Sequence, residues 1–125
     1  MTNAELITSF FALFDEEDVD ALLELFTEDC SFSMILYERD LEGKDELRTF
    51  FEEHIANWSE HREWATSIVV QGDAGASELH FEGVLKNGTR VVMDNLNVWD
   101  FEDGKIRRIR VYADTAGFRD ALGIA

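Results

Sequence analysis

Asp114 closes the stretch 104–114, GKIRRIRVYAD, and a carboxylate at a strand's end can give or take a proton. A dry surrounding would raise its pKa by disfavouring the charged form. The same side chain precedes a short helical tail, Thr115 to Gly123, where Asp is a common N-cap, so acid/base group and cap are both open readings. His54 is the one polar member of an apolar helical stripe, read either as a proton-exchanging group of a cavity or as a hydrogen-bonded core histidine. Asn95 and Asn97 alternate with Met93, Trp99 and Phe101 on one strand face. Two amides among apolar neighbours suit a pocket that fixes a carbonyl or hydroxyl; the competing reading is mutual pairing inside the sheet. Arg110 and Tyr112 fall on the face of Asp114 by the two-residue period, and an inward-facing Arg110 would hold the carboxyl's pKa down. Ile109, Val111 and Ala113 form the opposite face, and periodicity leaves open which one turns inward. Trp58, Trp64 and Trp99 either wall a pocket for a ring-bearing ligand or pack the core.

The totals limit what such groups can serve. A chain of 125 residues, 46% hydrophobic with 10 Phe and 3 Trp, supports one domain (1–125) with its own core. No CxxC pair or HExxH motif suggests a metal, and no cofactor is expected. The lone Cys30 agrees with a reducing compartment. With no apolar run of spanning length, and Met1 leading straight into an amphipathic helix, the expected location is the cytoplasm. The charge is -16, from 27 acidic and 11 basic residues, so nucleic acid and anionic membrane surfaces are poor partners. The acids are scattered, as on a solvated surface.

The elements that would position these groups follow from periodicity. Leu6, Ile7, Phe10, Phe11 and Phe14 give one stripe over a helix from about Ala4 to Asp15. Asp18 is the expected N-cap of a second helix with Val19, Leu22, Leu23 and Phe26 on its stripe. Alternation from Asp29 to Leu36 predicts a strand. Gly43 then precedes a third helix, about Lys44 to Trp58, carrying Leu47, Phe50, Phe51, His54 and Ile55 on one face. Strands alone follow, at about 63–71, 76–86, 89–101 and 105–114, joined by short turns that include Asn87-Gly88 and Asp103-Gly104. Helices first and an antiparallel meander after is an α+β arrangement, expected as a cone-shaped α+β barrel: three N-terminal helices packed in a curved, mainly antiparallel sheet. Such a cone has an apolar hollow that suits a ligand.

Asp18-Val19-Asp20-Ala21-Leu22, Phe26-Thr27-Glu28-Asp29, Gly43, Asp103-Gly104-Lys105-Ile106, Arg110-Val111-Tyr112-Ala113-Asp114, Phe118 and Leu122-Gly123 stand in an order that resembles the nuclear transport factor 2-like superfamily, and within it the SnoaL-like branch. The resemblance covers nearly the whole chain and implies the cone fold; it is weak for function, because the superfold hosts isomerases, hydrolases, cyclases and binding modules. Ketosteroid isomerases of the superfamily use a tyrosine, an aspartate base and a protonated acid where this chain has Phe10, Met34 and Asn97, so that activity is not expected. Limonene-epoxide hydrolases hold water from first-strand positions that match Phe32 and Met34 here, and their Arg-x-Asp is missing; Glu78 and His80 stand nearest to it. Asp114 alone matches, at the place where SnoaL-like cyclases carry their acid/base aspartate.

The expectation is therefore a protein that takes a small, mostly apolar organic molecule into its cone. If catalytic, it would do cofactor-free acid/base chemistry of cyclase, isomerase or hydrolase type at Asp114, with Asn97, His54 and Tyr112 orienting the substrate. The alternative is a non-catalytic binding or interaction module with Asp114 as a cap. Apolar side chains on both faces of the last strands, Leu96 and Val98 opposite Trp99 and Phe101, predict a homodimer packed sheet against sheet, which family precedent favours.

Overall fold

The computed structural model describes residues 1–34 and 39–122, with the side chains of 115, 118, 121 and 122 left aside. Its elements run α1 (Asn3–Asp15), α2 (Val19–Glu24), β1 (Phe26–Met34), β2 (Leu41–Glu42), α3 (Gly43–Ala56), β3 (Trp58–Gln71), β4 (Ala74–Leu85), β5 (Arg90–Glu102), β6 (Lys105–Tyr112) and α4 (Thr115–Leu122). The six strands make one curved, unclosed sheet in the order β2-β1-β6-β5-β4-β3. The β1–β6 pair is parallel and every other neighbouring pair antiparallel. This is the expected α+β cone.

Local chemistry explains the helix starts. Thr2 and Glu5 form a reciprocal capping box at α1: Thr2 Oγ1 accepts from the Glu5 amide at 3.1 Å, and Glu5 Oε1 from the Thr2 amide at 2.9 Å. Asp18 caps α2 by accepting from the Ala21 amide at 3.1 Å. Leu6, Ile7, Phe10, Phe11 and Phe14 of α1, with Leu47, Phe50 and Phe51 of α3, drive their stripes into the concave face of the sheet. Phe10 sits at the middle of that core, with the rings of Phe11, Phe14, Phe26, Phe51 and Trp99 at centroid distances of 5.3 to 6.2 Å. A smaller cluster of Trp58, Phe81, Leu85 and Val91 lies beside it. A Cβ on Gly83 would stand 2.7 Å from the Trp58 ring, so only glycine lets that ring lie flat on β4.

Two expected boundaries shift. Phe26 opens β1 rather than ending α2, and Trp58 opens β3 rather than ending α3. Each helix stops early because a buried aromatic joins the sheet instead of completing another turn. The expected first strand reached Leu36, and the expected tail reached Gly123; those ends lie outside the described residues. Bulges curl the sheet, with register shifts between Ala65 and Ser67 in β3 and between Asp100 and Phe101 in β5.

Candidate functional site

A hollow of about 70 Å³ opens between α1, α3 and the concave sheet. Most of its wall is aromatic or aliphatic. Phe10 and Phe14 come from α1, Phe32 and Met34 from β1, Phe50 from α3, and Ile109 and Val111 from β6. Four polar side chains interrupt that wall: His54, Glu63, Asn95 and Asn97. They come from three different elements, which only the curl of the sheet around α3 brings together.

Asn95 and Asn97 sit on the inward face of β5 and are 9% and 2% exposed. Each carboxamide leaves its Oδ1 without a hydrogen-bond partner among the described residues. An unmet buried polar atom is expensive, so two side by side in one wall mark a place where something polar can bind. His54 lies between the rings of Phe14 and Phe50, stacked on Phe50 at 5.6 Å. Burial pushes its pKa down to about 4, aided by the charge of nearby His61, so it is a neutral imidazole near neutral pH.

Glu63 is the acid of the hollow. Burial pushes its carboxyl up to about 8; the hydrogen bond to His61 opposes that rise and neighbouring Asp15 adds to it. His61 Nδ1 lies 3.0 Å from Glu63 Oε2, and the Glu63 amide donates to Asp15 Oδ1 at 2.9 Å. The bond to Glu63 also raises the pKa of His61. The two groups titrate together, and the governing direction is the rise at Glu63. Burial is the largest cause at Glu63, whereas the rise at His61 comes first from its bond to Glu63 and further from Glu17. Asp15, His61 and Glu63 are the one set of metal-type donors within reach of each other among the described residues. Their contacts are already made, with one another, with a backbone amide and with Glu17, so the cluster is a hydrogen-bonded chain rather than an open ligand set.

Of the residues singled out from sequence, the fold gathers His54, Asn95, Asn97, Phe10, Phe32 and Met34 around the hollow. Asp114 is a correction. It is exposed at the end of β6, outside the hollow, and its Oδ1 accepts from the Gly117 amide at 3.1 Å, which is the capping geometry. The face of β6 that points inward is that of Ile109 and Val111, so Arg110 and Tyr112 point away. Arg110 pairs with Asp100 at 3.6 Å, and Tyr112 is exposed. Trp58 and Trp99 are core residues rather than walls of the hollow, and Trp64 lies outside, under Arg62. Glu78 and His80 lie off the hollow too; His80 Nδ1 meets Asp94 at 2.8 Å. Glu63 and its partner His61 escaped the sequence reading, which began that strand at Glu63 and placed no bulge in it.

The comparisons with known proteins agree with this architecture. Residues 7–109 match the SnoaL-like domain family. Among curated proteins, none matches this chain in sequence. Solved structures superpose over nearly the full length. TerC, crystallised with polyporic acid, is 21% identical with a TM-score of 0.87, over 97% of this chain and 98% of its own. A protein of ketosteroid isomerase-like fold from Catenulispora acidiphila, in complex with trimethylamine, is 17% identical with a TM-score of 0.87, over 99% and 96%. SalBIII, an epoxide hydrolase/cyclase-like enzyme of pyran ring formation in the polyether salinomycin, is 25% identical with a TM-score of 0.80, over 91% and 92%. With 103 of 125 residues inside the family match and the cone fold throughout, the chain belongs to the SnoaL-like domain family.

Proposed function

We propose that this protein binds a small, mostly apolar organic molecule bearing an oxygen function, and that Glu63 acts on it as general acid. The observation that carries this reading is a carboxyl group, 3% exposed, in the wall of an apolar hollow that also holds two unmet amides. A carboxyl kept neutral near pH 7 can donate its proton to an epoxide, ether or carbonyl oxygen as charge builds there. The unmet Oδ1 atoms of Asn95 and Asn97 would accept from a hydroxyl of the ligand, their Nδ2 groups could donate to its oxygen, and neutral His54 offers a second proton site that does not repel the acid. Asp114 then serves as the cap of α4. The likeness to SalBIII supports the class, cyclisation or epoxide opening, without naming the molecule.

The test is a thermal-shift screen of small epoxides, carbonyl compounds, steroid-like and polyketide-like molecules. It would be run on the wild type, Glu63→Gln and Asp114→Asn, with products followed by mass spectrometry. A hit that stabilises all three proteins, and is converted by the wild type and Asp114→Asn but not by Glu63→Gln, is the expected result. Conversion that needs Asp114 and not Glu63 would overturn it. Binding without conversion in any of them would make the protein a carrier.

We also propose a homodimer through the outer face of the sheet. Trp64, Val69, Val92, Leu96 and Tyr112 are exposed large hydrophobic side chains, and all five lie on that outer face. A sedimentation mass of one chain at micromolar concentration would refute it.

A further inference from the structure

The acid of an apolar hollow must recover its proton after each use, and a carboxyl only 3% exposed meets little water of its own. The structure offers a route. Glu63 Oε2 meets His61 Nδ1 at 3.0 Å, and His61 Nε2 meets Glu17 Oε1 at 3.0 Å on the other side of the ring. Side-chain exposure rises along that line from 3% at Glu63 and 2% at His61 to 50% at Glu17. We infer that Glu17 and His61 form a proton relay from bulk water to Glu63. This inference rests on the reading of Glu63 as the acid of the hollow.

The backbone at Glu17 fixes the outer end of this line. It lies between α1 and α2 with φ at 59°, the left-handed region that favours glycine or asparagine after a helix. A glutamate is poorly suited to that conformation, yet this one aims its carboxylate at His61. The turn fixes that conformation, because the Glu17 amide donates to the Phe14 carbonyl at 3.0 Å and the Asp18 amide to the Leu13 carbonyl at 3.1 Å, and this closed turn holds the Glu17 side chain towards His61.

The transfer balances. Glu17 passes a proton to Nε2 of the imidazole, His61 passes its Nδ1 proton to Oε2 of the ionised Glu63, and Glu17 is refilled from water. A half-turn of the ring, or a proton moving the other way, restores the starting form. The charged or titratable groups facing His61 are Asp15 from α1, Glu17 from the α1–α2 link, His54 from α3 and Glu63 from β3 itself. Asp15 holds the Glu63 amide and so positions the acid end, while the Phe14 ring, 5.5 Å from His61, closes the side.

Infrared spectroscopy tests this without a substrate. A neutral buried carboxyl has its own carbonyl band, which Glu63→Gln should remove, and on transfer into D2O the band shifts at the rate of proton exchange. His61→Gln is expected to slow that shift about a hundredfold, and Glu17→Gln should slow it while leaving the fold intact. Imidazole added to His61→Ala should restore the speed. Exchange at the wild-type rate in both His61→Gln and Glu17→Gln would overturn the relay while leaving Glu63 as the acid. Should His61→Gln fail to fold, Glu17→Gln decides alone. A wild type without the band would mean an ionised Glu63, and the acid reading would fall together with the relay.

Discussion

Along the inward face of β5, Trp99 and Phe101 lie at the sealed end of the cone, and Asn95 and Asn97 lie at the hollow. The strand, its face and its spacing are the same, yet the two pairs are treated differently. Trp99 is fully buried, presents its edge to Phe10 and Phe11, stacks on Phe101 and donates its indole N–H to Ser77 Oγ at 2.9 Å. The asparagines keep buried oxygens unmet. At the Trp99 end the buried polar atom has a partner. Leaving two amides open on the same strand makes sense when the partner arrives from outside.

The comparison can be broken in several ways. Trp99→Ala should have the largest effect, about 3–5 kcal/mol of stability in urea unfolding, from the lost rings and the cavity left behind. A loss as small as a surface change would mean that the sealed end is not packed as described.

At the hollow the effect depends on pH. Glu63 has its pKa raised from 4.5 to about 8. The folded protein therefore holds a proton that the unfolded chain has released, and stability contributed by the neutral acid is full below pH 4.5 and lost as pH rises through 8. Glu63→Gln should remove a pH-dependent loss of a few kcal/mol across that window. His54 works in the opposite sense. Its pKa is lowered from 6.5 to about 4, so its contribution is full above 6.5 and is lost as pH falls through 4. Unfolding midpoints measured from pH 4 to 9 would show both slopes. A Glu63→Gln profile parallel to the wild type would refute the first.

Two smaller changes sharpen the contrast on β5. Ser77→Ala strands the Trp99 N–H in the core and should destabilise by about 1–3 kcal/mol. Asn97→Leu removes an oxygen that has no partner, so its stability should stay within about 0.5 kcal/mol of the wild type or rise, while ligand-induced stabilisation disappears. If Asn97→Leu proved as damaging as Ser77→Ala, the two ends of the strand would not differ in kind.

Much of the fold was legible because helical and strand periods were strong. The stripes of α1 and α3, the Asp18 cap and the alternation of β5 needed no tertiary information. The pair of asparagines and His54 were legible for the same reason: each is a polar residue in an apolar phase. Glu63 was not, and the bulge between Ala65 and Ser67 explains it. Counting back by two from the inward Ile68 and Val70 puts Trp64 inside and Glu63 outside. The extra residue reverses the phase, so Glu63 and His61 turn in and Trp64 turns out. Beginning β3 at Glu63 instead of Trp58 hid His61 as well. On β6 two faces competed, and only the packing of Ile109 and Val111 against the core chose between them.

The sequence by itself determined the class of fold, the apolar lining and the amides facing it, because periodicity is a local property of neighbouring residues. Tertiary structure alone decided which acid enters the hollow. That choice rests on one bulge and on contacts from Asp15 and Glu17 to residues far along the chain, and no local pattern records a shift of register or a partner across a cavity.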